Sequence, residues 1–114
     1  MATLGDLERS VMDVLWDRDA ALSANDLRDA LSAQLAATTV LTVLSRLENK
    51  GFVTRDRDSR PHLYRAATTR ADHMAELMHE VLGTAPDREA VLARFVGQVA
   101  PGEAAALRRL LDGK

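Results

Sequence analysis

The stretch TTVLTVLSRLENKGFVTRDRDSRPHLYRAA, residues 38–67, decides the fold. Val40, Val43, Leu44 and Leu47 fall at the i, i+3, i+4, i+7 spacing that lines one face of an α-helix. Thr39, Thr42, Arg46 and Lys50 share the other face, and Thr38 stands where an N-cap is expected. Gly51 closes the helix, since a left-handed residue suits that end, and Lys50 suits the negative end of the helix dipole. Residues 52–57 (FVTRDR) and 62–67 (HLYRAA) carry strand-compatible types on either side of Asp58-Ser59-Arg60-Pro61, which has turn composition. The segment therefore predicts one helix followed by a short basic β-hairpin. Pro61 cannot donate to a ladder and belongs at the tip or on an edge. A lone hairpin is marginal in water, so Phe52, Val53, Leu63 and Tyr64 are expected to pack it onto helices, with Tyr64 a core anchor rather than a base-stacking platform.

Working outward towards the N-terminus, Leu7, Val11, Val14 and Leu15, widened by Met12 and Trp16, predict a first helix over residues 4–17 with Trp16 in the core. Ser23 with Asp26 three residues on resembles a capping box, and Leu22 can pack on Leu27 as a hydrophobic staple. A second helix is expected from Ser23 to about Ala33. Two helices, a tight turn and a third amphipathic helix with polar residues at its start is the helix-turn-helix order, and the hairpin after it is a wing. Threonine is a mediocre helix former. Its repetition on a solvent face points to use of the hydroxyls and methyls, which can meet phosphate oxygens and thymine methyl groups. The plainer alternative is a cap at Thr38 and solvated filler beyond it.

Charge singles out the same region. Residues 1–30 hold 3 basic and 7 acidic side chains, 31–45 none, 46–65 hold 6 and 3, and 66–114 hold 6 and 7, so only the helix end and hairpin are net positive. The chain as a whole has formal charge −2. That does not exclude a nucleic-acid partner, because phosphate attraction is screened over roughly 8 Å and local cations decide it. Asp56 and Asp58 keep an ordinary solvated loop open as the alternative.

The 114 residues, 46% hydrophobic and 4% aromatic, suit one helical domain or a small domain with an appendage. With no cysteine there are no disulfides, thiolate metal sites or cysteine nucleophiles, and no long apolar run or signal peptide stands out, so a soluble cytoplasmic protein is expected. His62, His73 and His79 have no metal-site spacing and are read as surface residues, and no Gly-rich loop accompanies Arg55, Arg57 and Arg60. No catalytic constellation, metal site or cofactor is expected.

The C-terminal third reads as three short amphipathic helices. Ala71, Met74, Ala75, Met78, Val81 and Leu82 form one stripe. Val91, Leu92, Phe95, Val96 and Val99 form the next after Pro86-Asp87, and Ala104, Leu107, Leu110 and Leu111 the third after Pro101-Gly102. Such faces have little to bury against within one chain, and a two-fold partner would cover them. Residues 1–68 are thus read as a winged helix-turn-helix domain and 69–114 as a helical dimerisation domain, with Met74, Met78, Leu92, Phe95, Val96, Leu107, Leu110 and Leu111 as interface residues. A small-molecule pocket at Met74, Met78 and Phe95, or use of the winged helix as a protein-interaction module, stays open.

The opening LGDLERSVMDVLW, the TTVLTVLSRLENKGFV segment, the RPHLYRA wing end and DREAVLARFVGQVAPGEAAALRRLL together resemble the penicillinase-repressor family, the BlaI, MecI and CopY type of bacterial winged-helix repressors, over nearly the whole chain. The resemblance implies a homodimer that binds a palindromic operator in double-stranded DNA and represses genes of β-lactam resistance or a related response. It places DNA reading on Thr38, Thr39, Thr42 and Arg46, with Lys50 on the same face and Arg55, Arg57 and Arg60 on the backbone. It also implies a membrane-bound sensor metalloprotease that cuts before a phenylalanine, here the Arg94-Phe95 bond. The copper-responsive branch uses cysteines, which this sequence lacks.

Overall fold

A computed structural model describes residues 4–31 and 34–113. The elements in chain order are α1 (Asp6–Arg18), β1 (Leu22–Ser23), α2 (Ala24–Ala30), α3 (Ala37–Asn49), β2 (Val53–Asp56), β3 (Leu63–Ala66), α4 (Arg70–Gly83), α5 (Arg88–Val96) and α6 (Pro101–Leu111). The fold is mostly α with a small antiparallel sheet, as expected. By its internal contacts the chain divides into Met1–Met74 and Ala75–Lys114, so the first turn of α4 goes with the first unit.

The first unit is built around one apolar cluster in which Val11, Met12 and Leu15 of α1, Leu27 of α2, and Val40, Val43, Leu44 and Leu47 of α3 are buried. These are the stripes that periodicity marks. Trp16 is only half-buried; its Nε1–H donates to the Thr68 carbonyl at 2.9 Å. The start of α2 is capped reciprocally, with Ser23 Oγ accepting from the Asp26 N–H and the Asp26 carboxylate accepting from the Ser23 N–H, both at 3.1 Å. The α2 helix ends at Ala30; the expected continuation to Ala33 falls partly on residues outside those described.

The α3 helix begins two residues earlier than its sequence suggests. Its N-cap is Ala36, with no side-chain cap, and Thr38 lies inside the first turn. Its far end follows expectation. Gly51 has φ +84°, its N–H bonds the Glu48 carbonyl at 3.1 Å, and the Phe52 N–H bonds the Leu47 carbonyl at 2.9 Å. This paired closure needs a left-handed residue, and it turns Phe52 back into the core beside Leu47.

The hairpin is part of a larger sheet than its sequence predicts. The order is β1-β3-β2, with Leu22 opposite Tyr64 and Ser23 opposite Leu63. A two-residue strand has no periodicity to read, and Leu22–Ser23 is recruited only because β3 passes beside it. Phe52, Val53 and Tyr64 are buried and Leu63 half-buried, which fixes the wing to the helices; Pro61 is exposed in the connection, outside the ladder.

A polar contact ties α1 to the C-terminal end of α3. Glu8 is buried on α1, its Oε1 accepting from the Gly5 N–H at 2.8 Å, and the Lys50 Nζ lies 2.9 Å from each carboxylate oxygen. Burial alone would raise the Glu8 pKa; the Gly5 N–H, Lys50 and the charge of Arg46 outweigh it and hold the carboxyl below the ordinary 4.5. A depressed carboxyl pKa contributes stability above the unfolded value, lost as pH falls through the folded one. Glu8→Gln is therefore expected to cost about 1–2 kcal/mol at neutral pH, a loss that shrinks below about pH 4. Urea melts of both proteins across pH check this; an equal gap at pH 7 and pH 3.5 would count against the ion pair.

The α4 helix corrects another expectation. His73, read as a surface residue, is 6% exposed, stacked on Trp16 with ring centroids 5.6 Å apart and edge-on to Phe52 at 5.1 Å. Arg70, three residues earlier, reaches Asp17 at 2.7 Å and Asp13 at 3.4 Å and lies 5.5 Å over the Trp16 ring. The start of α4 is thus held to α1 by aromatic and charged contacts.

In the second unit, Asp87 caps α5 by accepting from the Ala90 N–H at 3.1 Å, and Pro101 sits in the first turn of α6. Neither α5 nor α6 has a buried residue. Leu77, Met78, Val81 and Leu82 of α4 face Val91, Leu92 and Phe95 of α5 across an open apolar groove of about 410 Å³. No helix among the described residues is long and apolar enough to cross a membrane.

Candidate nucleic-acid interface

The buried stripe of α3 fixes what its other side presents. Thr38, Thr39, Leu41, Thr42, Ser45, Arg46 and Asn49 are exposed. Helical spacing puts Thr38, Thr42, Ser45 and Asn49 along the middle of this face, Thr39 and Arg46 on one flank and Leu41 on the other. The Thr42 hydroxyl donates to the Thr38 carbonyl at 2.9 Å. Its proton is thereby committed to the helix, which leaves the oxygen as an acceptor and the methyl for outward contact. Among the described residues, Arg46 forms no ion pair within 4 Å, and its guanidinium is available for a bidentate acceptor.

The two flanks meet different neighbours. On the Arg46 side, Lys50 turns towards α1 and pairs with Glu8. On the Leu41 side, Glu48 lies 3.5 Å from Arg55 through one oxygen and 3.5 Å from Arg57 through the other. Glu48 therefore holds the wing beside the C-terminal end of α3, with Arg55 half-buried and Arg57 exposed.

The wing tip is ordered by short polar contacts. The Ser59 hydroxyl, at 2.8 Å, and the Asp58 N–H, at 3.0 Å, donate to the Asp56 carboxylate and hold its pKa below the usual aspartate value. The Arg60 guanidinium donates to the Arg57 and Ser59 carbonyls at 2.6 and 2.9 Å. Asp56 is thus a structural member of the turn, and Arg57 and Arg60 are the exposed cations of the tip.

Helix face and wing stand together in one unit. The residues placed elsewhere on the chain are Met74, Met78, Leu92, Phe95, Val96, Leu110 and Leu111, all exposed, and Leu107, half-buried. Met78 and Phe95 line the apolar groove between α4 and α5, and Met74 lies outside its lining. The Arg94-Phe95 bond is in the last turn of α5. Sequence reading missed Leu41, Ser45 and Asn49 on the α3 face, although their spacing from Thr38 and Thr42 is a sufficient signal for the latter two.

A family model described as penicillinase repressor matches residues 4–113. The transcriptional regulator BlaI of Mycobacterium tuberculosis (strain ATCC 25618 / H37Rv) is 46% identical over 116 residues, covering 97% of this chain and 84% of the relative. Among solved structures, a MarR family protein from Bacillus stearothermophilus matches with a TM-score of 0.53 at 20% identity, covering 98% of this chain and 73% of that one. MepR, a transcription regulator of the Staphylococcus aureus multidrug efflux pump MepA, matches with 0.51 at 20% identity, covering 96% and 76%. The structural matches support the winged-helix fold alone; the sequence matches go further. The chain belongs to the penicillinase repressor family of transcriptional regulators.

Proposed function

We propose that this protein is a cytoplasmic transcriptional repressor that binds a palindromic operator in double-stranded DNA as a homodimer and controls β-lactam resistance or a related stress response. The observation that carries the DNA-binding part is the exposed α3 face with Arg46 on it and the Arg55–Arg57 wing held alongside by Glu48. Thr38, Thr39, Thr42 and Arg46 would enter the major groove, and Arg57 and Arg60 would track the backbone. Lys50 acts through its pair with Glu8, fixing the C-terminal end of α3.

Ten large hydrophobic residues are exposed among the described residues, and nine of them lie from Met74 onward. A second copy of the chain would cover them and would match a two-fold operator. Release by a sensor metalloprotease at Arg94-Phe95 would require the last turn of α5 to unwind first, and would divide the apolar stripe that the dimer uses. Following the chain by mass during β-lactam exposure tests this; derepression with an intact chain would point instead to an effector bound directly.

A gel shift of duplex DNA from upstream of the protein's own gene, at several salt concentrations, tests DNA binding. Arg57→Gln and Arg60→Gln are each expected to weaken binding to every duplex and to make the log–log salt dependence shallower by about 0.9 per lost phosphate contact. An unchanged slope in both variants would remove the wing from the interface.

A further inference from the structure

Of the ten exposed large hydrophobics, only Leu41 lies outside the C-terminal region, and it lies on α3 at 44% exposure. Every other large apolar residue of that helix is buried. Leucine 41 is thus an apolar group on the wing-side flank of a face otherwise made of threonine, serine, asparagine and arginine. Glu48, two turns further along the same side, carries the Arg55–Arg57 pair, so a duplex touched by the wing passes over this flank. In the major groove the one apolar group that distinguishes base pairs is the C5 methyl of thymine.

We propose that Leu41 is a specificity-determining residue that packs on a thymine methyl in each half-site, so that α3 reads an apolar step through Leu41 and a hydrogen-bonding step through Arg46. This rests on the DNA-binding reading above. The committed Thr42 hydroxyl proton fits the same division, because it leaves Thr42 a methyl and an acceptor but no outward donor.

The test uses the full-length protein and duplexes it enriches from a random library. Each thymine of the enriched site is replaced in turn by deoxyuridine, which differs only by the missing methyl. At one thymine per half-site the replacement is expected to weaken wild-type binding about three- to tenfold. Leu41→Ala should lower affinity for the parent site by a similar factor and be indifferent to deoxyuridine at that thymine, while Thr42→Ser keeps the sensitivity there. Leu41 is exposed, so the variant should melt as the wild type does. Wild-type binding indifferent to every replacement, or Leu41→Ala as sensitive as the wild type, would overturn the assignment while DNA binding stands. Enrichment of no duplex at all would overturn the DNA-binding reading itself and the role of Leu41 with it.

Discussion

Phe95→Asp is expected to turn the proposed dimer into a monomer. Phe95 is 43% exposed and lines the groove that α4 and α5 form from Met78, Leu82, Val91 and Leu92. In the proposed dimer that groove is interior, and a carboxylate there would be desolvated among mostly apolar side chains. The cost should be about 2–4 kcal/mol, on the order of 30- to 1,000-fold in the dimer dissociation constant. In the isolated chain the residue is exposed, so the cluster of α1, α2 and α3 should melt unchanged. Sedimentation at micromolar concentration reads the assembly directly. Operator affinity should fall with it, because two half-sites linked in one dimer bind far more tightly than two separate monomers. A variant that sediments as the wild type does would place the dimer contact elsewhere, and Leu110→Asp, at an exposed position of α6, would then show whether that helix supplies it.

The second large effect is expected at Arg46. Its guanidinium projects from the exposed face of α3 and can donate two parallel hydrogen bonds to a guanine edge. Arg46→Ala should cost about 1–3 kcal/mol in operator affinity for each half-site and relax specificity at one base pair. Arg46→Lys should not restore it, because a point charge cannot reproduce the planar fork. Arg46 also helps to hold the Glu8 carboxyl ionised, so the melting temperature of each variant must be compared before affinity is assigned to DNA contact. Competition binding on operator and random duplex decides the matter. Equal losses on both would make Arg46 a phosphate contact and leave base reading to the threonines and Leu41.

What the sequence determined by itself is what depends on near neighbours. The α3 stripe, the Ser23–Asp26 cap of α2 and the Gly51 closure rest on residues within one or two turns, where spacing and side-chain type suffice. The polar face of α3 followed from its buried one. The tertiary structure decided what depends on partners distant in the chain. The strand β1 exists because β3 lies beside Leu22 and Ser23. His73 is buried because Trp16 and Phe52 stack around it, which no periodicity within α4 marks. Lys50 and Glu48 look alike as solvated charges of one helix end, yet Lys50 meets Glu8 of α1 and Glu48 meets Arg55 and Arg57 of the wing. Leu41 is likewise apolar by composition and exposed only because the core closes over the opposite side of α3. A long charged or apolar side chain takes its role from whichever element comes within a few ångströms, and the chain path alone sets that distance.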